Sequence, residues 1–207
     1  MTVEEIVRRV RDRSSRLASG LPVPQPPIGS DFSLSGVVPV PETWRPASVL
    51  VPLVNRAGGL TVLLTQRSAD LPDHPGQISF PGGRVEPEDR DVGVAALREA
   101  EEEIGLPRER VSLLGRLSEY ETVTGYRVTP VVGWVEPPFE VKPDPVEVAD
   151  VFEVPLAFLL EPANQQRHIR MVGEIRRDYY AIPYGERYIW GATAAMLLIL
   201  ERTLRGA

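Results

Sequence analysis

Between Arg98 and Leu106 the chain reads Arg-Glu-Ala-Glu-Glu-Glu-Ile-Gly-Leu. On a helix, at about 100° per residue, Glu99, Glu102 and Glu103 fall on one strip, with Glu99 and Glu103 about one turn apart. Glu101 points elsewhere. Three carboxylates this close repel one another unless something compensates. Hard divalent cations do so. Mg²⁺ and Mn²⁺ take oxygen ligands, and Mg²⁺ commonly combines one or two carboxylates with substrate phosphates. Arg98 stands one turn before Glu102 and can pair with it, which orients the carboxylates. Taken alone, such a run is an ordinary solvated helix face. The residues before it shift the balance toward chemistry.

Phe80-Pro81-Gly82-Gly83 precedes the carboxylate segment. Paired glycines let a ligand approach the backbone. The Gly83 carbonyl is a candidate metal ligand, and the amides of Gly82 and Gly83 can meet phosphate oxygens. The same four residues also read as a plain tight turn. Upstream, Arg67 closes an apolar strand and is a candidate phosphate contact. His74 is one of two histidines. It reads as a loop-holding or substrate-contacting residue. Metal ligation is disfavoured, since no second histidine or cysteine is near it. With no cysteine in the chain, thiolate nucleophiles and disulfides are excluded.

Several elements must position these groups. Residues 93–104 are expected to be helical, with Leu97, Ala100 and Ile104 as the apolar stripe, Asp91 as N-cap and Gly105 ending the helix in the left-handed region. Residues 48–54 and 60–66 predict a hairpin, central in a sheet, around a turn at 55–59. A short apolar piece covers 77–80. Strands are expected at 111–119, 126–135 and 175–182, and a closing helix at 190–203. Val148–Leu160 reads either as a short helix around Pro155 or as a strand followed by a helix. Residues 3–17 predict an amphipathic helix with Val3, Ile6, Val7, Val10 and Leu17 on one side. Four prolines in 19–30 forbid a helix there. This order of elements fits an α/β mixed sheet between helices. Residues 1–30 are expected to be a helix and proline-rich arm packed on a single domain spanning 31–207.

The formal net charge of −6 disfavours a nucleic-acid partner, whose phosphates call for a cationic surface. It leaves room for a small phosphorylated substrate neutralised by cations. The N-terminal sixteen residues are charged throughout and Trp190–Leu200 is too short to span a bilayer. No membrane association and a cytoplasmic location are the expectations.

Residues 83–106 closely resemble the signature of the Nudix hydrolases. Gly83, Asp89, Arg98, Glu99, Ala100, Glu102, Glu103, Gly105 and Leu106 fill its places. Asp89 stands where the general signature has glutamate, and the gap from Asp89 to Arg98 is one residue longer than usual. The register of the three glutamates is unchanged. Both this variation and residues 63–83 resemble the coenzyme A pyrophosphatase branch, through Leu63-Leu64-Thr65, Arg67-Ser68, Leu71, His74, Gly76 and Phe80–Gly83. Pro72 departs from that branch, which usually has a basic residue there. Residues 125–133 and 147–155 are similar to it too.

The resemblance implies a Nudix-type α/β/α sandwich with a mixed β-sheet. It implies Mg²⁺- or Mn²⁺-dependent cleavage of coenzyme A to 4′-phosphopantetheine and 3′-phosphoadenosine 5′-phosphate, with oxidised and acylated forms as further substrates. Glu99, Glu102 and Glu103 would hold the metal, helped by the Gly83 carbonyl. The base is Glu102, Glu103 or an acid from a later loop. Glu119, Glu121 and Glu147 are the loop candidates, and Glu147 aligns with the branch pattern. Tyr120, Tyr126 and Phe139 are candidates to stack on adenine. The rival readings are a Nudix enzyme for ADP-ribose, a dinucleoside polyphosphate or an oxidised nucleotide, and a non-catalytic nucleotide-binding module. The N-terminal arm and the closing helix offer surfaces for a homodimer.

Overall fold

The computed structural model describes residues 2–20, 30–31 and 41–206. Residues 21–29, which hold the prolines of the expected arm, lie outside the described residues.

The fold is organised by one strand, β1 (Arg45–Arg56). Its apolar residues point to both sides, which suits a strand covered on both faces. β1 pairs antiparallel with β2 (Gly59–Arg67) and parallel with β7 (Tyr126–Val135), the latter in unbroken register from Arg45 to Val54. The hairpin turn is tighter than expected. Arg56 opposes Gly59, leaving only Ala57 and Gly58 in the loop. Further along, β2 diverges from β1, and two short strands fill the gap. β3 (Ile78–Ser79) pairs with β2, and β4 (Gly82–Arg84) lies beside Ala47–Val49 of β1. The paired glycines therefore begin a strand, and the tight-turn reading does not hold.

The strand expected at 111–119 stops early. β5 (Val111–Arg116) bulges against β7, and β6 (Tyr120–Glu121) pairs separately with it. Residues 148–160 follow the second of the two readings, with β8 (Val148–Pro155) on the outer edge of β2 and then a one-turn helix, α3 (Leu156–Leu159).

Side-chain alternation along the strands makes two cores. Leu50, Val54, Leu63, Val131 and Val135 face α2 (Val92–Ile104), whose Ala96, Ala100 and Ile104 are buried against them. Val51, Leu53, Val62, Leu64 and Val132 face the other way. They are covered by Ala195, Leu198 and Ile199 of α4 (Gly191–Arg205), joined by Ile6 and Val10 of α1 (Val3–Ala18). The result is a mixed sheet between helices.

A second, antiparallel sheet stands before α4. It consists of β9 (Gln166–Val172), β10 (Ile175–Tyr184) and β11 (Arg187–Trp190). Only β10 was expected from the sequence. Among the described residues no helix is long and apolar enough to cross a membrane.

Candidate active site

The buried stripe of α2 fixes which flank of the helix remains open. The Asp91 carboxylate caps the helix by accepting the Gly93 and Val94 amides at 2.7 and 3.0 Å, and Gly105 closes it at φ 64°. Ser48 Oγ of β1 donates to the Val92 carbonyl at 2.6 Å, tying the first turn to the sheet. The three glutamates then meet different surroundings. Glu102 is largely exposed, with 59% of its side chain open to solvent, and Glu99 is mostly covered. Glu103 is buried, with only 6% of the residue exposed.

Arg98 organises this flank. It grips Asp89 with two donors, Nε to Oδ1 at 3.1 Å and Nη2 to Oδ2 at 2.9 Å. Its Nη1 donates to Glu99 and Glu102, both at 2.9 Å, and Nη2 also reaches the Arg84 carbonyl at 3.0 Å. Asp89 in turn accepts the Glu86 amide at 2.9 Å. The loop between β4 and α2 is thus clamped to the helix. The guanidinium holds the Asp89 carboxyl below its ordinary range, and Asp89 in turn raises the pKa of Arg98.

Glu103 has no such cation. Among the described residues its carboxylate takes one hydrogen bond, from the Gly82 amide at 3.1 Å. Burial is the main influence on it and pushes its carboxyl up to about 7. The charges of Glu99 and Glu147 add to the rise, while the Gly82 amide and Arg67 oppose it. Glu99 is raised too, chiefly by burial and against the pull of Arg98. A buried carboxylate under the charges of two others has the chemistry that a hard divalent cation compensates. Gly83 lies against Glu99. A Cβ there would lie 2.6 Å from the Glu99 carboxylate, and at Gly82 (φ 154°) one would lie 2.4 Å from the Ser48 carbonyl oxygen. Among the described residues no three His, Asp or Glu side chains gather closely enough to hold an ion. The physical reason is visible: Arg98 draws Glu99 and Glu102 to itself, and Glu103 turns to Gly82.

Two groups from outside α2 join this flank. Arg67 ends β2, and its charge acts on Glu103. Its Nη2 donates to the Asp73 carbonyl at 3.3 Å, and its Nε is buried with no hydrogen-bond partner. Glu147 is exposed at the start of β8, where its carbonyl accepts the Ser68 amide at 2.8 Å. Its charge acts on both Glu99 and Glu103. His74 stands exposed on the loop after β2, at φ 56°.

Other sequence candidates have different duties. Tyr120 is 1% exposed and its hydroxyl donates to Asp31 at 2.5 Å, so it cannot stack on a ligand. Tyr126 lies under the Arg45 guanidinium at 4.0 Å and accepts from Arg84 Nε at 3.1 Å. Phe139 packs beside Arg56. Glu119 and Glu121 both pair with Arg127.

A feature not read from the sequence is a cleft of roughly 680 Å³ between the end of β2 and the second sheet. Gln66, Gly76, Gln77, Arg187, Tyr188 and Trp190 line it. The alternation of Tyr188 and Trp190 in β11 was the available signal.

The model of the NUDIX domain matches residues 44–173, most of the chain. A Nudix hydrolase called NudL from Photorhabdus laumondii is 40% identical over 154 residues, covering 74% of this chain and 81% of that protein. Its counterpart in Shigella flexneri is 43% identical over 159 residues, covering 76% and 81%. The MutT protein of Methanosarcina mazei shares the fold, with a TM-score of 0.51 at 18% identity over 81% of this chain and 98% of that one. This chain belongs to the Nudix family and is a Nudix hydrolase. Enzymes of the family generally require a divalent cation such as Mg²⁺ or Mn²⁺ and act on small nucleotide substrates.

Proposed function

We propose that this hydrolase cuts the pyrophosphate linkage of coenzyme A, with Mg²⁺ or Mn²⁺ held by Glu99, Glu102, Glu103 and the Gly83 carbonyl. The observation that carries the metal site is Glu103, a buried carboxylate with no ion pair and a single side-chain hydrogen bond among the described residues. The substrate reading is supported by residues 63–83, whose pattern resembles the coenzyme A branch and whose Arg67 stands next to the carboxylates.

When bound, the cation neutralises pyrophosphate oxygens and makes water a better nucleophile at neutral pH. The remaining work falls to the chain. Arg98 sets the rotamers of Glu99 and Glu102 and does not touch substrate. Arg67 holds a phosphate oxygen, which satisfies its orphaned Nε. The Gly82 amide faces the same space, and His74 contacts the substrate from the loop. Glu147, on the open side of the site, accepts the proton of the attacking water. Water enters in line with the leaving phosphate, and no covalent enzyme intermediate forms. α1 shares the main core through Ile6 and Val10, which supports reading residues 1–30 as a segment docked on the 31–207 domain.

The test is a substrate panel of coenzyme A, ADP-ribose, a diadenosine polyphosphate and an oxidised nucleoside triphosphate. Mg²⁺ and Mn²⁺ are supplied separately with a chelator control, and products are identified by mass. The expected result is metal-dependent release of 4′-phosphopantetheine with the highest kcat/KM of the panel. A higher kcat/KM on another compound retains the metal chemistry and overturns the coenzyme A assignment.

A further inference from the structure

The three-stranded sheet β9–β11 has two unlike faces. In an antiparallel ladder, residues directly opposite one another share a face. One face carries Tyr180, Ile182 and Ile189 into the core. Further along, that same face balances its charges. Asp178 accepts from Arg167 at 2.7 Å and from Arg176 at 2.8 Å, and both arginines hold it in its charged form. The other face leaves its charges unbalanced. Arg170 stands directly opposite Arg177 across β9 and β10. Like charges in that relation destabilise a sheet. Neither has an ion pair among the described residues, and the Arg177 Nε is buried with no hydrogen-bond partner. That arrangement calls for an anion.

Beside the arginines the same face becomes aromatic. His168 opposes Tyr179, with ring centres stacked at 5.6 Å. Tyr179 meets Trp190 edge-on at 5.5 Å, and its hydroxyl lies 3.5 Å from that of Tyr188. Tyr188 is 43% exposed, so this row is not sealed in the core. Trp190 and Tyr188 also line the cleft of roughly 680 Å³, together with Gln66 and Gln77. The Gln66 amide is taken up by Arg187 and the Gly76 carbonyl, which leaves the Gln77 amide to match the donor and acceptor edge of a purine. Arg187 in the cleft is already committed to Asp150 and Gln66, and Glu186 stands exposed at the rim. The cleft itself therefore repels phosphate and suits a neutral ring. Gln66 of the cleft and Arg67 beside the carboxylates are neighbours in β2, so the cleft adjoins the strand end that carries Arg67.

We propose that this face and the cleft at its foot bind the nucleoside end of the substrate. A purine stacks against Tyr188 and Trp190 in the cleft, and a phosphate monoester separate from the scissile linkage sits between Arg170 and Arg177. The inference rests on the pyrophosphatase reading for its placement on the substrate. It does not rest on turnover for its test.

The experiment is calorimetric titration of the intact protein, with Mg²⁺ present, using adenosine 3′,5′-bisphosphate and adenosine 5′-monophosphate. The wild-type protein is expected to bind the bisphosphate at least tenfold more tightly. In Arg170→Gln/Arg177→Gln that preference falls below threefold, with the loss confined to the bisphosphate. Arg170→Lys/Arg177→Lys restores part of it. Tyr188→Ala weakens both ligands together. Melting curves of each variant report folding. Equal affinity of the wild-type protein for the two ligands overturns the proposal, as does a preference that survives in the glutamine variant. Either outcome is independent of which compound the enzyme cleaves. Conversely, the phosphate preference can stand while the substrate panel rejects coenzyme A.

Discussion

Glu103 is the residue on which folding and chemistry pull in opposite directions. Burying a carboxylate with one hydrogen bond and no cation costs stability, and the cost persists only while the charge stays uncompensated. Replacing it by glutamine keeps the shape and an acceptor for the Gly82 amide while removing the charge. In chelator at pH 8, Glu103→Gln is therefore expected to be more stable than wild type, by roughly 1–3 kcal/mol. Turnover with Mg²⁺ is expected to drop on the order of 10²–10⁴-fold. Denaturant titration and steady-state rates check the two halves, and a variant that is destabilised or fully active contradicts this account. Asp89 behaves in the opposite sense. Arg98 lowers its pKa below the ordinary 3.8, so its pairing contributes stability above that pH. The contribution is lost as pH falls through the depressed value. Asp89→Asn should melt lower than wild type at pH 7, and the gap should shrink in acid. A gap that stays constant from pH 7 to pH 2.5 would remove the Asp89–Arg98 pair as its cause.

At the scale of elements, the helix period made the carboxylate strip legible, because residues three and four apart must share a flank. Asp91 and Gly105 also announced the ends of α2, since capping chemistry is local. What periodicity could not separate was the three glutamates from one another. Their differing burial comes from β4 and the loop clamped by Arg98, which are tertiary partners. β4 was itself misread. Two glycines after a proline have the composition of a turn, yet here they let a strand lie against both β1 and α2. This gives Gly83→Ala a definite outcome. The added methyl would stand 2.6 Å from the Glu99 carboxylate, so Glu99 must leave its place. Activity is expected to fall at least tenfold while the far-ultraviolet dichroism remains that of the wild type. Undiminished activity in Gly83→Ala would show that the position of Glu99 does not matter.

Across the whole molecule, the sandwich was readable because β1, β2 and β7 bury side chains on both faces and so appear as long apolar runs. The second sheet was largely not. Its β9 reads Gln-Arg-His-Ile-Arg-Met-Val, and charges break the apolar signal wherever the strand lies beyond the core. Among the aromatic candidates Tyr120 was misjudged for a related reason. A tyrosine near a strand end looks the same in sequence whether it is sealed, like Tyr120, or half open, like Tyr126. The parallel pairing of β1 with β7 has a consequence during synthesis. β1 is made early, but its long neighbour begins only at Tyr126. Until then a nascent chain can close the β1–β2 hairpin and lay β3, β4 and α2 against it, but the long edge of β1 that β7 will occupy has no partner. On the ribosome, that edge is the segment most in need of a chaperone, and slowing translation before codon 126 should raise the share of product lost to aggregation.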